Sequence, residues 1–411
     1  MWAGMLIGSV ALTFAGPGTA ATDASEQEEM RRWHERTGAI VLRGKIAGEP
    51  VIGVVNTAMP HGTLDSARAV DLRLGQPTGA DFGRITDSGS FNVPRREQPV
   101  YSDVEVQLAG TTYADQRLVV LDHSHLFRTL NLQFDGFFGM DVLHDRVLVL
   151  QSSRGQAMLL DECPPEVRGV PLRLKFSPAG IGEPMPYVRL KVSESGWQRF
   201  RISTGAFFGL GLNRDLCRRL ERAGQALQIP PVQRQILGYS GQPCRYTLRQ
   251  FELAGHVFEN IVALETPENM IGLSLLRQFD SVFDFSAGTA WLQSIEADSL
   301  GFIPDASGIS VVQNSSGRLL VSDLQVDSPA VRAGLRLDDE LLAVDGQPVS
   351  LLGARQVRHR FCQGGETVAV LVRRGDETLQ TKLPLKWHFE YPPLWSDVPR
   401  VATAPLLPDL E

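Results

Sequence analysis

Val51-Ile52-Gly53-Val54-Val55-Asn56-Thr57-Ala58 and Phe200-Arg201-Ile202-Ser203-Thr204-Gly205-Ala206 are the stretches that decide how this 411-residue chain is read. Each is a short apolar strand running into a threonine-bearing loop. Each is followed by a helical pattern, Leu64 to Leu74 after the first and Asn213 to Ala223 after the second. Asn213 is a candidate N-cap, with Leu216 and Leu220 on one helix face. Further on, Val104 to Leu121 and Gln250 to Leu264 each read as two alternating strands joined at a Leu-Ala-Gly turn, the pattern of a hairpin. The spacings agree: Leu108 lies 52 residues beyond Asn56, and Leu253 lies 50 beyond Ser203. Phe134-Asp135-Gly136-Phe137-Phe138-Gly139-Met140 then answers to Asn269-Met270-Ile271-Gly272-Leu273. Both run into a last strand pair, turning at Ser152 to Gly155 and at Ser286 to Thr289. Four matches in the same order imply a duplicated, mainly β unit with two lobes and a cleft between them.

Composition narrows the classes. Apolar residues make up 43% and charged residues 21%, enough for two or three domains with cores of their own. Forty basic against 47 acidic residues leave a net charge of −7 with no run of one sign, which argues against a nucleic-acid partner. No apolar run is long enough to span a membrane. Residues Met5 to Ala15 are apolar and lead into Gly16-Pro17-Gly18-Thr19-Ala20-Ala21, the pattern of a signal peptide over residues 1–21 and of a periplasmic or secreted protein. The cysteines (Cys163, Cys217, Cys244, Cys362) form no C-x-x-C. One disulfide, Cys217 with Cys244, and four buried thiols are both open readings. His123 and His125 form a His-x-His pair with no third ligand in sight, so they read as a polar loop; no metal and no cofactor are expected.

The ordered features resemble the aspartic proteases, specifically two-lobed bacterial proteins built from retropepsin-like halves. The resemblance covers residues 38–295, with lobes at 38–162 and 163–295, and implies acid-protease β-barrels. In that family each half supplies a strand ending in Asp-Thr/Ser-Gly, a flap hairpin and an apolar-apolar-Gly segment. Phe137-Phe138-Gly139 and Met270-Ile271-Gly272 match the last of these, and Thr57 and Thr204 match the threonines that interlock the halves. At the catalytic positions stand Asn56 and Ser203. An amide neither takes nor gives a proton near neutral pH, and Ser203 has no neighbouring base in sequence, so the shared-proton chemistry of two carboxylates is missing. Ala58 replaces a loop glycine, and Met59 is large enough to fill the water site. The other reading of the register would place the chemistry on Asp65, Asp71, Asp141 or Asp284. By the resemblance, flap tips fall at Asp87-Ser88-Gly89-Ser90 and Gly238-Tyr239-Ser240-Gly241.

A second resemblance, to PDZ domains of bacterial envelope proteases, rests on Ser328-Pro329-Ala330-Val331-Arg332-Ala333-Gly334 and Leu341-Leu342-Ala343-Val344-Asp345-Gly346-Gln347-Pro348. Ser328 caps a short helix that Gly334 ends, and Asp345-Gly346 turns a hairpin. The domain spans residues 300–386. It implies peptide binding by strand addition at Gly308, Ile309, Ser310 and Val311, with the helix Ala354 to Phe361 as the other wall. Residues 387–411 form a proline-rich tail. The chain therefore reads as an exported, catalytically inactive aspartic-protease-like protein that binds extended or C-terminal peptides, unfolded segments included, in its cleft and its PDZ groove. An active endopeptidase with its dyad elsewhere and a structural adaptor are the competing readings, and a dimer is open.

Overall fold

A computed structural model describes residues 39–82, 97–124, 133–177, 184–192, 195–229, 244–295, 306–313, 317–325, 327–361 and 363–386. The expected leader at 1–21, the tail at 387–411, the expected flap tips (Gly89, Ser90, Tyr239, Ser240) and His125 lie outside the described residues.

In the first half, β1 (Val41–Ile46) turns through Ala47-Gly48 into β2 (Glu49–Val55). Then come β3 (Thr63–Asp65), helix α1 (Ser66–Asp71), β4 (Gly79–Phe82), β5 (Glu97–Leu108), β6 (Thr111–Leu121) and β7 (Gly136–Phe138). They form one sheet in the order β1-β2-β7-β3-β6-β5-β4, and β1 also pairs with β5, which closes the ring. The helix starts two residues later than its hydrophobic pattern predicts. Asp65 is the reason: its carboxylate accepts the amides of Ala67 and Arg68, and a residue that caps lies outside the helix.

The link carries β8 (Val147–Gln151), β9 (Gln156–Leu160) and β10 (Val170–Arg173). The second half follows with β11 (Lys175–Phe176), β12 (Pro186–Lys191), β13 (Trp197–Ser203), β14 (Leu210–Asn213), α2 (Arg214–Arg222), β15 (Ala226–Ile229), β16 (Arg245–Leu253), β17 (His256–Thr266), β18 (Met270–Gly272), α3 (Leu273–Leu276), β19 (Phe279–Asp284) and β20 (Thr289–Ser294). Its sheet order is β11-β12-β13-β18-β14-β17-β16-β15. With β11 set aside, this order matches the first half strand for strand. In both halves a three-residue strand lies parallel to one neighbour and antiparallel to the other: β7 between β2 and β3, β18 between β13 and β14. The Ala-Gly turns fall at Ala109-Gly110 and Ala254-Gly255, all four residues left-handed, which is the two-residue hairpin geometry that matches strand twist.

A third sheet, β10-β20-β19-β8-β9, joins the halves. Its middle pair, β8 antiparallel to β19, has Val149 opposite Val282 at the centre of the register. One continuous apolar core therefore takes in residues of both halves, from Ile40 to Leu292.

The C-terminal unit has its own core, running from Ala306 to Leu385. Its strands are β21 (Ile309–Gln313), β22 (Leu319–Leu324), β23 (Glu340–Val344), β24 (Gln347–Pro348), β25 (Thr367–Arg374) and β26 (Glu377–Pro384), in the order β21-β22-β23-β25-β26 with β24 on β23. Helix α4 (Pro329–Arg332) starts at Ser328, whose hydroxyl accepts the Val331 amide. Helix α5 (Val349–Phe361) is broken at Gly353, which has φ 72 and ψ 164.

Cys163, Cys217 and Cys244 are free thiols. Burial pushes the Cys217 thiol up to about 12, so it behaves as a small apolar side chain. His123 sits in no polar loop: it is 2% exposed and packs between the rings of Phe134 and Phe137, at 5.4 and 5.3 Å. Burial in that aromatic nest lowers its pKa to about 4. Among the described residues, no three His, Cys, Asp or Glu side chains gather as a metal site, and no helix is long and apolar enough to cross a membrane.

Candidate functional site

The loops after β2 and β13 meet at the middle of the molecule. Thr57 Oγ1 donates to Ile202 O at 2.9 Å and accepts the Thr204 amide at 3.2 Å. Thr204 Oγ1 returns the pattern, donating to Val55 O at 2.8 Å and accepting the Thr57 amide at 3.1 Å. Two hydroxyls thus make four bonds between the two halves in a reciprocal, pseudo-twofold arrangement. Both threonines are fully buried. A hydroxyl on each side supplies both roles, because it donates and accepts through one atom.

Behind each loop the following strand fixes its shape. Asn56 N donates to Phe138 O, and Met140 N to Met59 O; in the other half Gly272 N donates to Gly209 O, and Leu273 N to Ala206 O. The glycines of the apolar-Gly segments are required by close approach. A Cβ on Gly139 would stand 2.6 Å from His61 O, and one on Gly272 would stand 2.8 Å from Ala206 O.

Asn56 and Ser203 precede the two threonines, and both are fully buried. Asn56 Oδ1 accepts the Ala58 amide at 3.0 Å, which fixes the orientation of the side chain and leaves its NH2 group pointing the other way without a hydrogen-bond partner. That side chain lies against Gly205: a Cβ there would stand 2.7 Å from Asn56 Oδ1 and closer still to its Cγ and Nδ2. Asn56 of the first half therefore touches the loop of the second. Ser203 Oγ accepts the Ala206 amide at 3.1 Å. Both oxygens are used as acceptors from their own loops, so the hydrogens that remain, on an amide and a hydroxyl, are donors. Neither group can act as a general base.

The aspartates of the alternative register all have structural tasks or stand apart. Asp65 caps α1 and accepts the His123 amide. Asp141 Oδ2 accepts the Gly62 amide at 2.7 Å, and Asp284 Oδ1 accepts Ala287 N and Ser286 Oγ. Asp71 is exposed at the end of α1. Met59 is buried in an apolar cluster of the first half with Val54, Val119 and Phe137, against which Phe207 of the second half also packs. Sequence reading missed Phe207, and placed Asn269 in the repeat without its role. Asn269 accepts the Asn213 amide through Oδ1 and donates through Nδ2 to Arg199 O, tying α2 to β13. A buried asparagine just before a Met-Ile-Gly strand was its available signal.

In the C-terminal unit β21 is an edge strand, paired on one side with β22. Ser307 and Gly308 lead into it. Gly308 has φ 77, and a Cβ there would stand 2.9 Å from Ser328 Oγ, so glycine is needed for both conformation and space. Ile309 and Val311 belong to the core and Ser310 is exposed, the alternation of a strand with one covered face. Ile309 N donates to Ser307 Oγ at 3.2 Å. Phe361 O accepts the Ala306 amide, which holds the end of α5 against the segment entering β21.

No curated protein matches the chain. The family model for the PDZ domain matches residues 307–385, and the chain therefore carries a PDZ domain, a module that binds peptide segments, at its C-terminal end.

Proposed function

We propose that the chain is an exported, non-hydrolytic peptide-binding protein, in which two retropepsin-like lobes of the aspartic-protease type carry a PDZ domain that captures extended or C-terminal peptide segments. The observation that carries this reading is the four-bond threonine exchange, with Asn56 and Ser203 in the positions from which two carboxylates would act. It is supported by the matching strand order of the two halves and by the structural tasks of Asp65, Asp141 and Asp284. Loss of both proton-transfer steps removes ~10²–10⁴-fold in rate for each. Peptide capture rests on the PDZ domain, whose strand β21 has no second strand partner among the described residues and lies beside α5. The burial of Asn56 and Ser203 favours a second reading, in which the lobes act as a rigid adaptor and the PDZ groove alone binds.

Casein and peptide libraries incubated with the full chain from about pH 3 to about pH 7, with and without a statine-type inhibitor, test the first part. No inhibitor-sensitive cleavage is expected; such cleavage would overturn it. For binding, a C-terminal peptide library scored by fluorescence anisotropy should yield ligands whose affinity falls at least ~10-fold in Gly308→Val. Full affinity in that variant would remove the PDZ groove from the function. Ligands that survive it and instead compete with a statine-type inhibitor would place binding in the cleft.

A further inference from the structure

The strand pair β12–β13 has two unlike faces. Its inward residues Val188, Leu190, Phe200 and Ile202 are buried in the second half. On the other face the register sets Tyr187 opposite Arg201, Arg189 opposite Arg199, and Lys191 opposite Trp197, while Lys175 of β11 stands opposite Tyr187. Lys175, Arg189, Lys191 and Arg199 are exposed, and Trp197 is 62% exposed. Glu268 neutralises Arg201, with Oε1 2.7 Å from its Nε. The Arg199 guanidinium lies 3.9 Å over the Tyr187 ring. Two arginines directly opposite one another repel, and an exposed indole at the mouth of a hairpin gains nothing from folding. Arg199 gains the Tyr187 ring within the fold, but the opposition to Arg189 and the exposure of Trp197 remain uncompensated by that contact. The corresponding strands of the first half set Arg43 and Lys45 opposite Ile52 and Pro50, with no aromatic residue among them, so the face is no by-product of the duplication.

We propose that this face docks on an anionic phospholipid surface. Arg189, Lys191 and Arg199 would meet the headgroup phosphates, while the Trp197 ring enters the boundary between headgroup and acyl chain, where an amphipathic indole is favoured. Charge complementarity carries the choice of partner, since the cations stand together on a chain of net charge −7. A nucleic-acid strand fits less well. Base stacking needs bare rings, and Arg199 already covers Tyr187, leaving Trp197 alone on this face. The docking is independent of the peptide site.

Flotation of the full chain with vesicles tests it. Vesicles of equal parts phosphatidylcholine and phosphatidylglycerol should carry the protein up the gradient, pure phosphatidylcholine vesicles should not, and added salt should release it. The triple variant Arg189→Gln, Lys191→Gln, Arg199→Gln should lower partitioning about a hundredfold at an unchanged melting temperature. Trp197→Ser should weaken partitioning by a smaller factor. Equal flotation with neutral vesicles, no flotation with either, undiminished binding of the triple variant, or tighter binding to a single-stranded oligonucleotide than to anionic vesicles would each overturn the proposal.

Discussion

Replacing Thr57 by valine keeps shape and volume while removing one hydroxyl. That hydroxyl donates to Ile202 O and accepts from Thr204 N, both deep in the lobe boundary. The substitution leaves a buried carbonyl and a buried amide without partners. Each such group costs ~1–3 kcal/mol, so the expected loss is about 2–6 kcal/mol. Thr204→Val should cost the same, because it orphans Val55 O and the Thr57 amide in the mirror arrangement. The comparison substitution is Thr289→Val. Its hydroxyl reaches Ala287 O at 3.5 Å on the exposed surface, and its loss should cost less than ~0.5 kcal/mol. Urea denaturation followed by tryptophan fluorescence reads all three. The double variant adds a coupling energy, expected to be at least ~0.5 kcal/mol for side chains in one network. A Thr57→Val loss no larger than that of Thr289→Val would refute the claim that this exchange holds the two halves together.

Three further outcomes follow from the same geometry. Gly205→Ala drives a methyl into the Asn56 side chain and should cost at least ~2 kcal/mol in the same denaturation assay, unless paired with Asn56→Ala, which makes room. His123 is neutral in the fold with a pKa of about 4, and binds a proton near pH 6.5 when unfolded. The unfolded state therefore holds more protons between these values. Stability should fall as pH drops below about 6.5, by about 2 kcal/mol at about pH 5, and His123→Phe should flatten that slope. On the proposed reading, installing carboxylates with Asn56→Asp and Ser203→Asp, together with Ala58→Gly to relieve the loop, should produce acid-optimum, statine-sensitive hydrolysis of casein. A well-folded triple variant with no trace of activity would show that lost carboxylates are not what silences the centre.

The hairpins, the helix caps and the order of the duplicated segments were legible because each depends on local chemistry. Ala-Gly turns at Gly110 and Gly255, an asparagine cap at Asn213 and a Ser-Pro start at Ser328 work within four residues. The central loops were legible for another reason: their neighbours on both sides repeat. What escaped was set by partners distant in sequence. The partners of Met59, Val119 and Phe137, lie far along the chain and could not be read from its neighbours in sequence. His123 read as polar because its neighbours in sequence are polar, whereas its neighbours in space are Phe134 and Phe137. The charged face of β12–β13 needed the register that sets Arg189 against Arg199.

The sheet that sews β8 to β19 has a consequence for how such a chain can be divided. Cut after residue 160, the first half would carry an unmatched edge at β8, its hydrogen-bonding groups and the apolar side chains of Val147 to Leu150 stripped of their cover. Its natural remedy is a twin, Val149 laid against Val149 about a true twofold axis. Within one chain, β19 therefore does for β8 what a second copy would do for a lone half, while leaving the two sides of the join free to differ, an amide on one and an alcohol on the other.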